Sequence, residues 1–384
     1  MGLSKYKVVA AVFLAAIVTA SLARADKPGE VKRLRTPNGG IQPQVAVDGK
    51  GVLHLIYFRG DPRHGDIFYV RSTDEGATFS HPLRVNSTSG SSIAIGNIRG
   101  AHLAVGKNGR VHVAWIGAGK TGLDGMLYAR LKDDGTAFEP QRDVIHAAKG
   151  LDGGGSVAAD DAGNVYVVWH APQPGEKGEV NRRVWVARSE DEGKTFAAEK
   201  AAYEKATGAC GCCGLRAFAD HKGNVYVLYR SAMERLHRDT YLLTSKDKGE
   251  NFHGDDVQAW KVQACPMSSF AFAESPSGVL AAWETSGQVY YASIDPATGK
   301  RSKPIAAPGA AHERKHPVMA GTRGGKTILV WTEGMGWDRG GAVAWQVYDK
   351  NGKATTDKGR AAGVPTWSLV AVFPRKDGGF TIVY

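Results

Sequence analysis

Residues 163–196, GNVYVVWHAPQPGEKGEVNRRVWVARSEDEGKTF, decide how this chain is read. Val165, Val167 and Trp169 alternate with other residues in a short β-branched and aromatic segment, the pattern of a strand. After a polar loop, a second such segment runs over 184–187. It ends in Ser189-Glu190-Asp191-Glu192-Gly193-Lys194-Thr195-Phe196, with Asp and Gly where a tight hairpin turn needs them. The same unit recurs along the chain, so the repeat sets the fold.

The first strand pair of each unit opens on a turn: Asp48-Gly49-Lys50-Gly51, Gly106-Lys107-Asn108-Gly109, Asp160-Asp161-Ala162-Gly163, Asp220-His221-Lys222-Gly223 or Ser275-Pro276-Ser277-Gly278. Its second member ends in an aromatic residue: Tyr57, Trp115, Trp169, Tyr229, Trp283, Trp331 and Tyr384. The intervals between these aromatics are 58, 54, 60, 54, 48 and 53 residues. Seven recurrences at this period, all β, predict a propeller of four-stranded antiparallel blades, strands A to D running from axis to rim. Each aromatic should close a strand B and pack between neighbouring blades. Residues 367–384 supply only strands A and B. Residues 30–35 precede the first strand A and are placed to add an outer strand to that last blade.

The 384 residues include 49 glycines, which suits many turns, and 23% are charged, a soluble globular composition. Lys5 and Lys7, an apolar run over 8–20 and Ala23-Arg24-Ala25 read as an export signal over 1–25. Its removal takes away Lys5, Lys7 and Arg24 and lowers the formal charge from +11 to +8. The remainder, 26–384, reads as one propeller domain, secreted or periplasmic in a bacterium. No later segment is apolar enough to span a membrane. The positive charge favours anionic ligands, but it is spread without a basic cluster, so nucleic acid is not expected as a partner.

The C–D turns carry a second signature. Ser72-Thr73-Asp74-Glu75-Gly76-Ala77-Thr78-Phe79, the turn at 189–196 and Ser245-Lys246-Asp247-Lys248-Gly249-Glu250-Asn251-Phe252 share S-x-D-x-G-x-[TN]-F. Lys132-Asp133-Asp134-Gly135-Thr136-Ala137-Phe138 is a degenerate copy. The pattern resembles the Asp-box (BNR) repeat of the sialidase family. Asp74, Asp133, Asp191 and Asp247 are then structural turn residues. The resemblance covers nearly all of 26–384 and implies six blades, against the seven that the aromatic count gives.

The Asp-box turns mark one face of the ring. B–C loops and D–A connections make the other, and they are Gly-rich and polar, with Arg, His and carboxylates. Sialidases bind a substrate carboxylate with three arginines, and use an Asp acid/base and a Tyr-Glu nucleophile pair. The family's first Arg precedes an Ile-Pro; here Ile41-Gln42-Pro43 stands in that stretch, so that Arg is absent. Asp61 sits where the acid/base belongs. Trp367-Ser368-Leu369 occupies the nucleophile stretch, and an indole has no ionisable oxygen. The resemblance therefore implies a sialidase-like propeller whose active site has departed from the family's.

Arg99, Arg216 and Arg314, each near the start of a strand A, are candidates to ring the axis and bind an anion. His170, Arg230 and Glu284 each follow a strand-B aromatic and share that face. Glu284 and Asp61 are the candidate acid/base pair. Cys210, Cys212, Cys213 and Cys265 are the only cysteines, in the connections leading to blades four and five. In an exported chain they are expected to form two disulfides; the alternative is a thiolate site for copper(I) or zinc. No other metal or cofactor is expected. The expected function is binding of a small anionic or glycan ligand without ordinary sialidase turnover. The alternatives are an exo-sialidase-type glycoside hydrolase with a rearranged site and, third, a cysteine-based metal or redox protein.

Overall fold

A computed structural model describes residues 30–384 except 120–121, 277 and 311–312; the proposed export signal lies outside them. Seven separate sheets follow one another along the chain. Blade 1 is Ile41–Val47, Leu53–Asp61, His64–Ser72 and Leu83–Arg84. Blade 2 is His102–Val105, Val111–Gly119, Gly122–Arg130 and Arg142–Asp143. Blade 3 is Gly155–Ala159, Val165–Pro172, Arg182–Ser189 and Lys200–Ala201. Blade 4 is Arg216–Ala219, Val225–Arg230, Thr240–Ser245 and His253–Gln258. Blade 5 is Ala271–Ser275, Gly278–Thr285, Gln288–Ile294 and Ile305–Ala306. Blade 6 is Arg314–Gly321, Thr327–Glu333, Gly341–Tyr348 and Ala354–Val364. The fold is a seven-bladed propeller, and the six-bladed alternative is set aside.

The seventh blade has three strands rather than four. Ala371–Pro374 and Phe380–Val383 pair antiparallel, and Val31–Leu34 from the other end of the described chain joins the outside in parallel. Thr36 N–H donates to Tyr384 O at 2.9 Å and Tyr384 N–H to Leu34 O at 3.0 Å, which closes the ring.

The strand-B aromatics occupy corresponding places. Tyr57, Trp115, Trp169, Tyr229, Trp283 and Trp331 are all buried. Each lies in the core shared with the preceding blade: Trp115 packs with Ile56 and Tyr69 of blade 1, and Trp169 with Ile116 and Met126 of blade 2. Burying an indole takes its N–H from water, so it needs an acceptor. Trp115 donates to Ser91 O at 3.2 Å and Trp169 to Ala148 O at 3.0 Å, both on the D–A connection between the blades. At these two junctions the indole thus both fills the inter-blade wedge and fastens the connection that crosses it.

The repeated turns share one hydrogen-bond pattern. Ser72 Oγ donates to Asp74 Oδ1 at 2.7 Å, and Thr78 N–H donates to the same oxygen at 2.9 Å. Thr78 Oγ1 donates to Asp74 Oδ2 at 2.6 Å. The same contacts recur around Asp191 and Asp247. The pattern needs two successive left-handed residues, Glu75 at φ 60° and Gly76 at φ 87°, and glycine takes the second without steric cost. The degenerate copy differs from expectation. Asp134, not Asp133, accepts the Thr136 N–H at 2.9 Å, while Asp133 turns outward to pair with Arg110. The turn there is one residue shorter, which shifts the carboxylate.

Candidate functional site

Seven innermost strands converge on an axis, and Arg216 sits on it. This residue begins the inner strand of blade 4 and lines two cavities. One, of about 90 Å³, opens toward the B–C face and is lined also by Gln42, Gln44, Asn97, His102, Ser269 and His316. The other, of about 640 Å³, opens toward the A–B turns, past Asp48, Asp160 and Asp220. Val45, Phe272, Met319 and Val372 line both and form the apolar constriction around Arg216.

The Arg216 head group spans the ring. Its Nη1–H donates to Gln44 Oε1 of blade 1 at 2.8 Å and lies 3.0 Å from His102 Nδ1 of blade 2. Ser156 Oγ of blade 3 is 2.8 Å from the same Nδ1 and accepts the Ala217 N–H. Two donors at Nδ1 place the imidazole proton on Nε2. Burial, then the Arg216 charge, holds His102 well below its usual range, so it stays neutral. Burial also lowers Arg216, to about 10. Among the described residues no carboxylate pairs with it. A desolvated cation without a counter-charge is costly, and an anion entering the cavity would relieve that cost.

The mouth on the B–C side is built from strained backbone. Gln42, Asn97, Met267, His316 and Trp367 all have left-handed φ, between 48° and 62°, on the approaches to five inner strands. None is glycine, and such conformations persist only where surrounding contacts impose them. Gln42 shows how. Its Nε2 donates to Ala94 O at 2.7 Å and to Trp367 O at 2.8 Å, and its N–H to Ser368 Oγ at 3.1 Å. The stretches at 41–43 and 367–369 therefore meet at one point. Ser269 Oγ is 3.1 Å from His316 Nδ1, and burial, aided by Lys315, lowers that imidazole to about 3.

The other candidate residues lie elsewhere. Arg99 donates to Asp152 O and to Asp152 Oδ1, both at 2.7 Å, with Trp337 beside its guanidinium. Arg314 is buried and holds Ala307 O, Pro308 O and Gln288 Oε1, tying blade 6 to blade 5. Arg230 is buried between Trp260 and Phe270 and donates to Arg238 O, Ser268 Oγ and Glu284 O. Glu284 is buried with its Oε2 3.9 Å from Arg230; burial raises its carboxyl. Asp61 stands exposed at the tip of a blade 1 hairpin and accepts the Arg63 N–H at 2.8 Å. Neither Asp61, Glu284, Arg99, Arg230 nor Arg314 lines the axial cavity above Arg216. Arg216 alone of the candidate arginines does.

The two expected disulfides are not formed: all four cysteines are unbridged, and Cys265 is exposed on its loop. The other three are gathered, with their sulfurs all within 4.8 Å of one another. Cys210 and Cys212 sulfurs stand 3.3 Å apart, well beyond a disulfide bond. His170 is buried against this loop. Its Nε2 lies 3.1 Å from Cys213 O, and Arg182 Nη1 lies 3.3 Å from its Nδ1. Burial, then the Arg182 charge, lowers His170 to about 4, and it positions the cysteine loop rather than the axis.

Sequence reading missed Gln42, Gln44, His102, Ser156 and His316. One signal was present: Gln42-Pro43 and His316-Pro317 recur at matching places in blades 1 and 6, each at a bulge of the inner strand. Proline after a residue forced to left-handed φ holds the bulge open.

No protein-family model matches the chain, and no curated protein matches it in sequence. Its likenesses are structural. A protein of unknown function from Dyadobacter fermentans aligns at 16% identity and TM-score 0.52, over 80% of this chain and 94% of that one. An alpha-L-arabinanase of Penicillium chrysogenum, solved with arabinobiose, aligns at 16% identity and TM-score 0.51, over 81% and 94%. The NanB sialidase of Streptococcus pneumoniae aligns at 8% identity and TM-score 0.49, over 80% and 68%. The first two establish a common fold and carry no residue roles across.

Proposed function

We propose that this chain is an exported, sialidase-like Asp-box propeller that binds a small anionic ligand, of the acidic-sugar class, at its axis without sialidase turnover. One observation carries the reading: the guanidinium of Arg216 faces the axial cavity with no carboxylate partner among the described residues. The left-handed residues around the mouth and the three matching Ser-Asp-Thr/Asn turns support it. The cavity over Arg216, about 90 Å³ and lined also by Gln42, Asn97 and Ser269, takes a carboxylate-sized group, so the rest of an acidic sugar would stand outside its mouth. Trp367 in the nucleophile stretch, with its carbonyl held by Gln42, argues against a covalent glycosyl intermediate.

The test is equilibrium binding of sialic, glucuronic and galacturonic acids to the whole chain. At least one should bind, and Arg216→Gln should weaken it by about tenfold or more, the worth of one charge-assisted contact. No binding, or binding indifferent to Arg216→Gln, refutes the reading. Release of sialic acid from a chromogenic sialoside, abolished by Asp61→Ala, would establish the hydrolase alternative instead.

A further inference from the structure

A second centre lies beside the axis. Cys213 directly precedes Gly214-Leu215-Arg216, so the cysteine loop and the Arg216 strand are continuous. Cys210 N–H donates to Arg230 O at 2.8 Å and Gly214 N–H to Ser268 O at 3.0 Å, so the loop is anchored at both ends by blades 4 and 5. Sulfurs that share one ion at about 2.3 Å stand about 3.8–4.0 Å apart. The sulfurs of Cys210, Cys212 and Cys213, all within 4.8 Å of one another and with one pair at 3.3 Å, bracket that spacing.

From this geometry we propose that Cys210, Cys212 and Cys213 form a three-thiolate seat for a soft monovalent cation of the copper(I) class. Thiolates select copper(I), zinc or iron–sulfur groups. Zinc in a structural site takes four protein ligands. Among the described residues no fourth His, Cys, Asp or Glu atom joins the group, and both ring nitrogens of His170 are engaged. Three sulfurs suit a trigonal ion. Charge agrees: three thiolates around a monovalent cation remain net negative. Arg182 and Arg238 act on Cys210 and Cys212, and Arg230 acts on Cys213. The Nε–H groups of these three arginines are buried without a hydrogen-bond partner among the described residues. Glu179, Asp152 and Glu284 are the carboxylates facing these arginines, and of them only Glu179 approaches Arg238 closely, Glu284 standing 3.9 Å from Arg230. Loading the site deprotonates the three thiols, and their protons pass to solvent.

The experiment titrates the reduced full-length chain with copper(I) against a competing copper(I) chelator, then maps the free thiols by alkylation and mass spectrometry. One copper(I) per chain should bind, shielding Cys210, Cys212 and Cys213 and leaving Cys265 reactive. Cys212→Ser should lower the affinity by about tenfold or more, and Cys265→Ser should leave it unchanged. The mapping on the unmutated chain decides the matter even if Cys212→Ser does not fold. No binding, shielding of Cys265, loss of binding in Cys265→Ser, or tighter binding of zinc than of copper(I) would overturn the proposal.

Discussion

Arg216 of blade 4 donates to Gln44 of blade 1 across the propeller axis, at 2.8 Å, and the contact divides the central channel in two. A neutral amide receives a charge that elsewhere in a protein interior would meet a carboxylate. The arrangement leaves a buried cation without a counter-charge among the described residues, which costs the fold. Arg216→Met should therefore raise stability by about 1 kcal/mol or more while removing anion binding, because an apolar side chain needs no counter-charge there. Urea unfolding with and without ligand checks both halves. A large loss of stability would mean that Arg216 is a structural tie and not a binding group.

The buried histidines predict acid lability. Burial lowers His112 and His316 to about 3 and His170 to about 4, against an ordinary value of 6.5. Between about pH 6.5 and these values the unfolded chain binds protons that the folded chain refuses. Stability therefore falls as pH drops through that window, by up to about 1.4 kcal/mol per pH unit for each histidine. His112→Gln should flatten the slope of stability between pH 6 and 4. An unaltered slope would show that His112 is protonated in the fold.

The turn carboxylates act lower. Hydrogen bonds from the Thr78 hydroxyl and amide, and from Ser72, hold Asp74 at about 2. Asp247 is held at about 2 chiefly by the Asn251 amide. Their folded values lie below the unfolded ones, so their contribution is complete above about pH 4 and is lost as pH falls toward 2. Asp247→Asn should destabilise at pH 7 and lose that dependence below pH 4. Equal stability of variant and parent at pH 7 would refute this account of the turn.

Trp115 and Trp169 should be the costliest single truncations. Each is fully buried between two blades and bonded to the connection joining them. Trp169→Ala should lose about 3–5 kcal/mol, from lost burial and the cavity left behind. Denaturant midpoints measure it. A loss below about 1 kcal/mol would mean that the wedge collapses without cost.

The sequence by itself determined the blades. A strand-B aromatic every 48 to 60 residues and a Ser-Asp-Gly-Phe turn are local patterns, each explained by bonds within a few residues of itself. The strand at Val31–Leu34 was legible too, because a last blade with only two strands of its own leaves an unpaired edge. Only the tertiary structure decided which polar residues share the axis. Arg216, Gln44, His102 and Ser156 come from four blades and as many as 172 positions apart, and nothing local distinguishes Arg216 from Arg314. Both begin inner strands; one reaches the channel, and the other turns outward to Ala307 O and Pro308 O. The cysteines divide for the same reason: Cys210, Cys212 and Cys213 lie on one loop that brings them together, whereas Cys265 belongs to the next connection, whose path holds it at the surface.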